Sequence, residues 1–125
     1  MLAIPIDTKD ATVISQLYGN APFFALLDLQ CGEFSVCENG GKGDGEDTAN
    51  FIIELGVKQT IFYHMGEGLF KRLDAKGIEV VSCGKAPLTI EEIYRGALDG
   101  SFKKVTTANS KTLLDAGNCT CTKNQ

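Results

Sequence analysis

From residue 60 onward the apolar residues keep changing period, and this alternation constrains the fold more than any other feature of the chain. Short apolar runs at 60–63 and 78–81 read as strands, and each is followed by a helical stripe. Leu69, Phe70 and Leu73 share one helix face, ended by Gly77. Ile90, Ile93, Tyr94, Ala97 and Leu98 share another, opened by a Thr89/Glu92 capping box. An earlier stripe of Phe51, Ile52 and Leu55 stops at Gly56. Strands alternating with helices imply parallel pairing through right-handed crossovers.

The first half reads differently. Residues 2–6 form a strand in which Pro5 removes a ladder donor, so pairing there should be one-sided or nearly finished. Residues 8–20 are a polar loop with one helical turn expected around Val13-Ile14 and Leu17-Tyr18. Apolar runs at 23–27 and 34–36 flank the turn Gln30-Cys31-Gly32-Glu33 and make a hairpin. The expectation is an α/β fold with a mixed five-stranded sheet, order 3-2-1-4-5, and helices on both faces. One domain over residues 1–105 precedes a polar, cysteine-containing tail over 106–125, and 125 residues are enough for one real core.

Twelve basic against sixteen acidic residues give a net charge of −4, which argues against a phosphate-backbone binder, so no nucleic-acid partner is expected. No apolar run approaches the roughly 20 residues that span a bilayer, and MLAIPIDTKD has no basic n-region. A cytoplasmic protein without a membrane partner is expected. The five cysteines, Cys31, Cys37, Cys83, Cys119 and Cys121, are odd in number and do not read as a disulfide framework.

This topology would bring the ends of strands one, three, four and five to one edge. Those ends are Asp7-Thr8, Cys37-Glu38, His64-Met65 and Cys83-Gly84. Ligands of open α/β sheets bind outside the carboxyl ends of the strands. His64, Cys37 and Cys83 are therefore candidate metal ligands on one rim, with Met65 beside them and Cys31 on the opposite edge. Gly41, Gly43 and Gly45 lead into one helix N-terminus and Gly66 and Gly68 into another, where backbone N–H groups can hold an anion. Cys119 and Cys121 offer two further thiolates, which could complete a shared site, bridge a homodimer or form a redox-sensitive tail. Each feature has a plainer counterpart. His64 could hydrogen-bond a loop, Met65 could pack in the core, Cys37 and Cys83 could be inert buried thiols, and the glycine stretch could be only a connection. Asp7 and Asp28 invite comparison with paired nuclease carboxylates, but Asp28 falls at the far end of its strand.

Several segments together carry a family resemblance. Ala3-Ile4-Pro5-Ile6-Asp7 resembles the opening of the dinitrogenase iron–molybdenum cofactor domain family, the NifX type. Ile14-Ser15-Gln16-Leu17-Tyr18-Gly19-Asn20-Ala21-Pro22-Phe23-Phe24 is similar to its I-S-x-x-F-G-x-A-P-x-F segment. Glu38-Asn39 before the glycine run, Leu55-Gly56-Val57, Gly66-Glu67-Gly68, Gly77-Ile78-Glu79-Val80 and Thr89-Ile90-Glu91-Glu92 extend the match to about residue 103. Gly43-Asp44-Gly45 lacks the histidine often seen in the family's glycine loop, and a histidine stands instead at His64. The resemblance implies a ribonuclease-H-like fold without nuclease activity. It also implies a non-catalytic protein that binds, carries or helps assemble an iron–sulfur or iron–molybdenum type cluster, exchanging it with metallocluster donor or acceptor proteins. An interaction or regulatory domain that kept the fold without a cofactor is the alternative.

Overall fold

Five consecutive apolar residues form strand β1 (Leu2–Ile6), and all five are buried. Only a strand covered on both faces can bury such a run. In the computed structural model, which describes residues 1–40, 45–84, 86–107, 109 and 114, β1 lies inside a six-stranded mixed sheet. β2 (Phe23–Leu27) and β3 (Phe34–Glu38) form the hairpin. Helix α1 (Gly45–Leu55), β4 (Gln59–Phe62), α2 (Glu67–Ala75), β5 (Glu79–Ser82), α3 (Ile90–Asp99) and β6 (Lys103–Lys104) follow. The strand order is β3-β2-β1-β4-β5-β6. β1 is antiparallel to β2 and parallel to β4, and β4 is parallel to β5.

Pro5 acts as its chemistry requires. β1 pairs with β2 along its whole length, but with β4 only at Leu2 and Ala3. The parallel ladder stops before the missing donor, and the Pro5 carbonyl instead accepts from the Ser15 N–H at 2.7 Å.

The sheet separates two apolar clusters. Under α1 and α2 lie Ala3, Phe24, Ile52, Phe62, Phe70 and Leu73. Under α3 lie Leu2, Ile4, Leu27, Ile61, Val81 and Ile93. The period-two alternation of each strand thus feeds both layers. α3 carries the expected capping box, Thr89 accepting from the Glu92 N–H and Glu92 from that of Thr89. Gly56 and Gly77 close α1 and α2 at φ +74° and +77°, conformations that L side chains rarely adopt.

Two expectations are corrected. The sheet has six strands, not five. β6 is only Lys103–Lys104, antiparallel to β5, and it carries no apolar run that could announce it. Its neighbours hold it in place. Phe102 folds against Gly96, where a Cβ would come within 2.6 Å of the ring. Val105 is buried, and its N–H donates to the Val80 carbonyl at 2.8 Å. The helical turn expected within residues 8–20 is absent. Val13 forms an extended bridge with Thr89, the Ile14 N–H donates to Leu88 at 2.9 Å, and the Ile90 N–H donates to Thr12 at 2.7 Å. Tertiary pairing overrides the local spacing there. Beyond the domain boundary expected at residue 105, Leu114 is buried in the cluster under α1 and α2.

Candidate functional site

The carboxyl ends of β1, β3, β4 and β5 share one edge of the sheet, because β2 returns antiparallel between β3 and β1. This rim is laced together by three polar residues whose importance the sequence did not single out. Ser15, fully buried, donates from Oγ to Asp7 Oδ1 at 2.6 Å and accepts from the Leu17 N–H at 3.0 Å. Asn39 donates from Nδ2 to the Ala21 carbonyl at 2.8 Å and to Thr48 Oγ1 at 3.1 Å. Thr48 in turn donates to the Gly19 carbonyl at 2.7 Å. The segment from Ile14 to Phe24 is therefore a strap across the rim, tied to the end of β1 on one side and to the end of β3 and α1 on the other. Ser15 and Asn39 lie within segments that carry the family resemblance, so the sequence holds a signal for them. Thr48, inside a helix, gave none.

The candidate ligands divide among several environments. His64 is half-buried just beyond β4, its ring edge-on to Tyr63 with centroids 4.8 Å apart. Met65 is 2% exposed in the cluster under α1 and α2, so it packs in the core rather than standing on the rim. Cys37 packs against that same cluster, its thiol donating to the Phe24 carbonyl at 3.7 Å, and burial pushes the thiol pKa up. A raised pKa keeps it protonated and disfavours the thiolate that binds metals. Three strand steps of about 4.8 Å also separate β3 from β4. Cys37 and His64 are thus too far apart to share one ion.

Cys83 is different. It belongs to the cluster under α3 and lines a cavity of about 480 Å³ with Ser82, Gly84, Ser101, Phe102 and Lys103. This cavity opens at the end of β5, the strand next to that of His64. A second cavity of about 500 Å³, lined by Gly32, Phe34 and Tyr94 among others, lies by the hairpin turn, away from the rim. Cys31 lies at that turn, on the edge opposite the rim, and is exposed. Among the described residues no group of three or more His, Cys, Asp or Glu is placed to hold a metal ion. Gly41, Gly43, Cys119 and Cys121 lie outside the described residues.

The helix N-termini carry mixed electrostatics. Gly66 caps α2 in an extended conformation with no side-chain cap, and a Cβ at Gly66 or Gly68 would meet nothing within 4 Å. Open N–H groups there suit an anion. Glu67 in the first turn of α2, and Glu46 and Asp47 in that of α1, which begins at Gly45, set negative charge beside them. Glu67 lies 3.9 Å from Lys71 and Glu46 3.3 Å from Arg72, and all four side chains are exposed.

The nuclease comparison does not survive the register. Ile6 sits beside Phe23 and Leu2 beside Leu27, so Asp7 and Asp28 occupy opposite edges, separated by about six residue steps of ~3.4 Å along the strands. Asp28 Oδ1 accepts from the Gln30 N–H at 2.9 Å and shapes the hairpin turn.

Known structures share this architecture. The apo form of the orange protein from Desulfovibrio gigas superposes with a TM-score of 0.74 at 21% identity, over 84% of this chain and 92% of that one. A Thermotoga NifB-type protein of the DUF35 family gives 0.69 at 26% identity, over 85% and 93%. An uncharacterized protein of Methanocaldococcus jannaschii is 24% identical over 110 residues, 82% of this chain and 89% of its own. The sequence model of the dinitrogenase iron-molybdenum cofactor family matches residues 1–100, and the chain belongs to that family.

Proposed function

We propose that this protein binds, carries or helps assemble an iron–sulfur or iron–molybdenum type cluster, held as cargo at the carboxyl rim, and that it performs no catalysis of its own. The observation that carries this reading is the family match over residues 1–100, a span that includes the ends of β1, β3, β4 and β5 and the start of α2. His64 is the proposed protein ligand, since imidazole is a common metal ligand and this ring is half-buried at a strand end. The uncapped N–H groups around Gly66 and Gly68 would hydrogen-bond anionic cluster atoms without any basic side chain. Cys83, one strand away, is the proposed second contact. Cluster donor or acceptor proteins, a cytoplasmic setting and the ribonuclease-H-like label belong to the same reading.

A second reading, an interaction or regulatory domain without a cofactor, draws on one observation: no preformed group of three ligating side chains lies among the described residues. Anaerobic purification with iron, molybdenum and sulfide counted per chain separates the two. Matched iron and sulfide with visible thiolate-to-iron absorption, reduced in His64→Ala with the fold intact, is the expected outcome. A colourless protein that also refuses iron–sulfur species on reconstitution would favour the second reading.

A further inference from the structure

The two edges of the sheet are guarded very differently. β6 is two residues long and both are exposed lysines, so pairing it with another strand would set cations against the partner. Short, lysine-bearing edges of this kind resist association. β3 has five residues, Phe-Ser-Val-Cys-Glu, with no proline, no lysine and one charge at its end. Among the described residues nothing pairs with its outer side. Phe34 is 45% exposed there.

The hydrogen-bond alternation says which groups this edge offers. The Asp28 N–H donates to Glu33 at 2.8 Å and the Asn39 N–H to Pro22 at 2.9 Å, which fixes the phase of the β2–β3 ladder at both ends. Residues 33, 35, 37 and 39 therefore bond to β2, and Phe34, Val36 and Glu38 turn their N–H and C=O groups outward.

We propose that a second copy of this chain docks on β3, making a two-fold antiparallel strand pair centred on Val36. In that register Phe34 lies opposite the partner's Glu38, and Val36 lies opposite the partner's Val36. About six backbone hydrogen bonds form at the outward residues. The occupant is a second copy because the strand is self-complementary there. Its single carboxylate meets a phenylalanine, and the two Glu38 side chains stand about four strand steps apart. Phe34 also lies diagonal to the partner's Val36, which covers part of its exposed ring. Pairing β3 with the partner's β6 would generate an open filament, and the lysines of β6 oppose it, so association closes at two. The two rims then point to opposite ends of a continuous sheet, and each remains open.

Sedimentation velocity from low to high micromolar concentration tests this, with monomers expected to give way to dimers and no larger species. Val36→Pro removes an outward N–H and leaves the β2 ladder intact. It should abolish the dimer while circular dichroism keeps the wild-type fold, the melting temperature falling only by what the partly buried valine side chain contributes to the cluster under α3. Phe34 and the partner's Glu38, both exposed, lie opposite each other in a hydrogen-bonded pair with Cα atoms about 5.5 Å apart. The double variant Phe34→Cys/Glu38→Cys should therefore give a disulfide dimer under mild oxidation, located by mass spectrometry between position 34 of one chain and position 38 of the other. If Val36→Pro fails to fold, that cross-link decides. A chain that stays monomeric throughout, a dimer indifferent to a folded Val36→Pro, growth into larger oligomers, or a cross-link elsewhere would overturn the proposal.

Discussion

Ser15 shows how much one buried hydroxyl can organise. It bonds Asp7 through its side chain and Pro5 through its N–H, and it accepts from Leu17, so three stretches of backbone meet at a residue with no exposed surface. Ser15→Ala leaves the Leu17 N–H without this acceptor and Asp7 without this donor. A loss of about 1–3 kcal/mol in urea unfolding is expected; an unchanged midpoint would mean that water replaces the hydroxyl at no cost. Tyr18, in the same strap, is 2% exposed and shares a 2.6 Å hydrogen bond with Thr60. Because the Thr60 hydroxyl donates to the Ala3 carbonyl at 2.9 Å, the phenol is the donor to Thr60. Burial raises the phenol pKa far above its ordinary 10.0. In the unfolded chain the phenol ionises near 10.0, whereas in the folded chain it stays protonated. Tyr18 therefore contributes its full stability below that pH and loses it as pH rises beyond. The melting temperature of wild type should fall more steeply above pH 10 than that of Tyr18→Phe, and parallel curves would remove Tyr18 as the cause.

At the scale of elements, the start of α2 carries two opposed tendencies. Its N–H groups attract anions, and Glu67 in the first turn repels them while favouring the helix itself. If the cluster is held there, Glu67→Gln should slow its loss to a chelator by about two- to five-fold, the range of a few tenths to 1 kcal/mol typical of a first-turn charge. Faster loss, with the helix content unchanged, would place the cargo elsewhere on the rim. The elements themselves were legible in unequal degree. β1, the hairpin and all three helices follow from apolar spacing, capping and glycine stops, since each buries a face that its own sequence writes out, with Leu98 of the α3 stripe the exception that stands exposed. The rim also followed, because it depends only on strand order. β6 and the extended contact at Val13 did not follow, because both exist through partners distant in sequence, Val81 and Ser82 for one and Thr89 for the other. For the same reason strand order could bring Cys37 and His64 to one edge, yet could not tell that the Cys37 thiol turns into the cluster under α1 and α2. Exposure and facing are settled by packing, which a single strand does not record.

Taken as a whole, the molecule is a sheet with a core on each side, and residues beyond the family match at 100 complete both cores. Phe102 packs with the cluster under α3, and Val105 and Leu114 with the one under α1 and α2. Leu114 lies in a stretch that composition alone marks as a polar tail, yet it is 7% exposed, whereas Leu98 on the surface of α3 is 57% exposed. The same truncation at the two positions therefore has different consequences. Leu114→Ala removes buried methyl groups and leaves a cavity beside the core, which costs about 2–4 kcal/mol when the surroundings do not collapse. Leu98→Ala removes groups that water already reaches and should stay within about 0.5 kcal/mol of wild type. Urea unfolding of both variants beside wild type checks this. A lowered midpoint for Leu114→Ala alone, with unchanged slope, means that the stretch beyond residue 105 is part of the cooperative unit. Equal midpoints for the two variants would mean that this leucine packs on the core without stabilising it, and that the boundary at 105 marks the end of the folding domain.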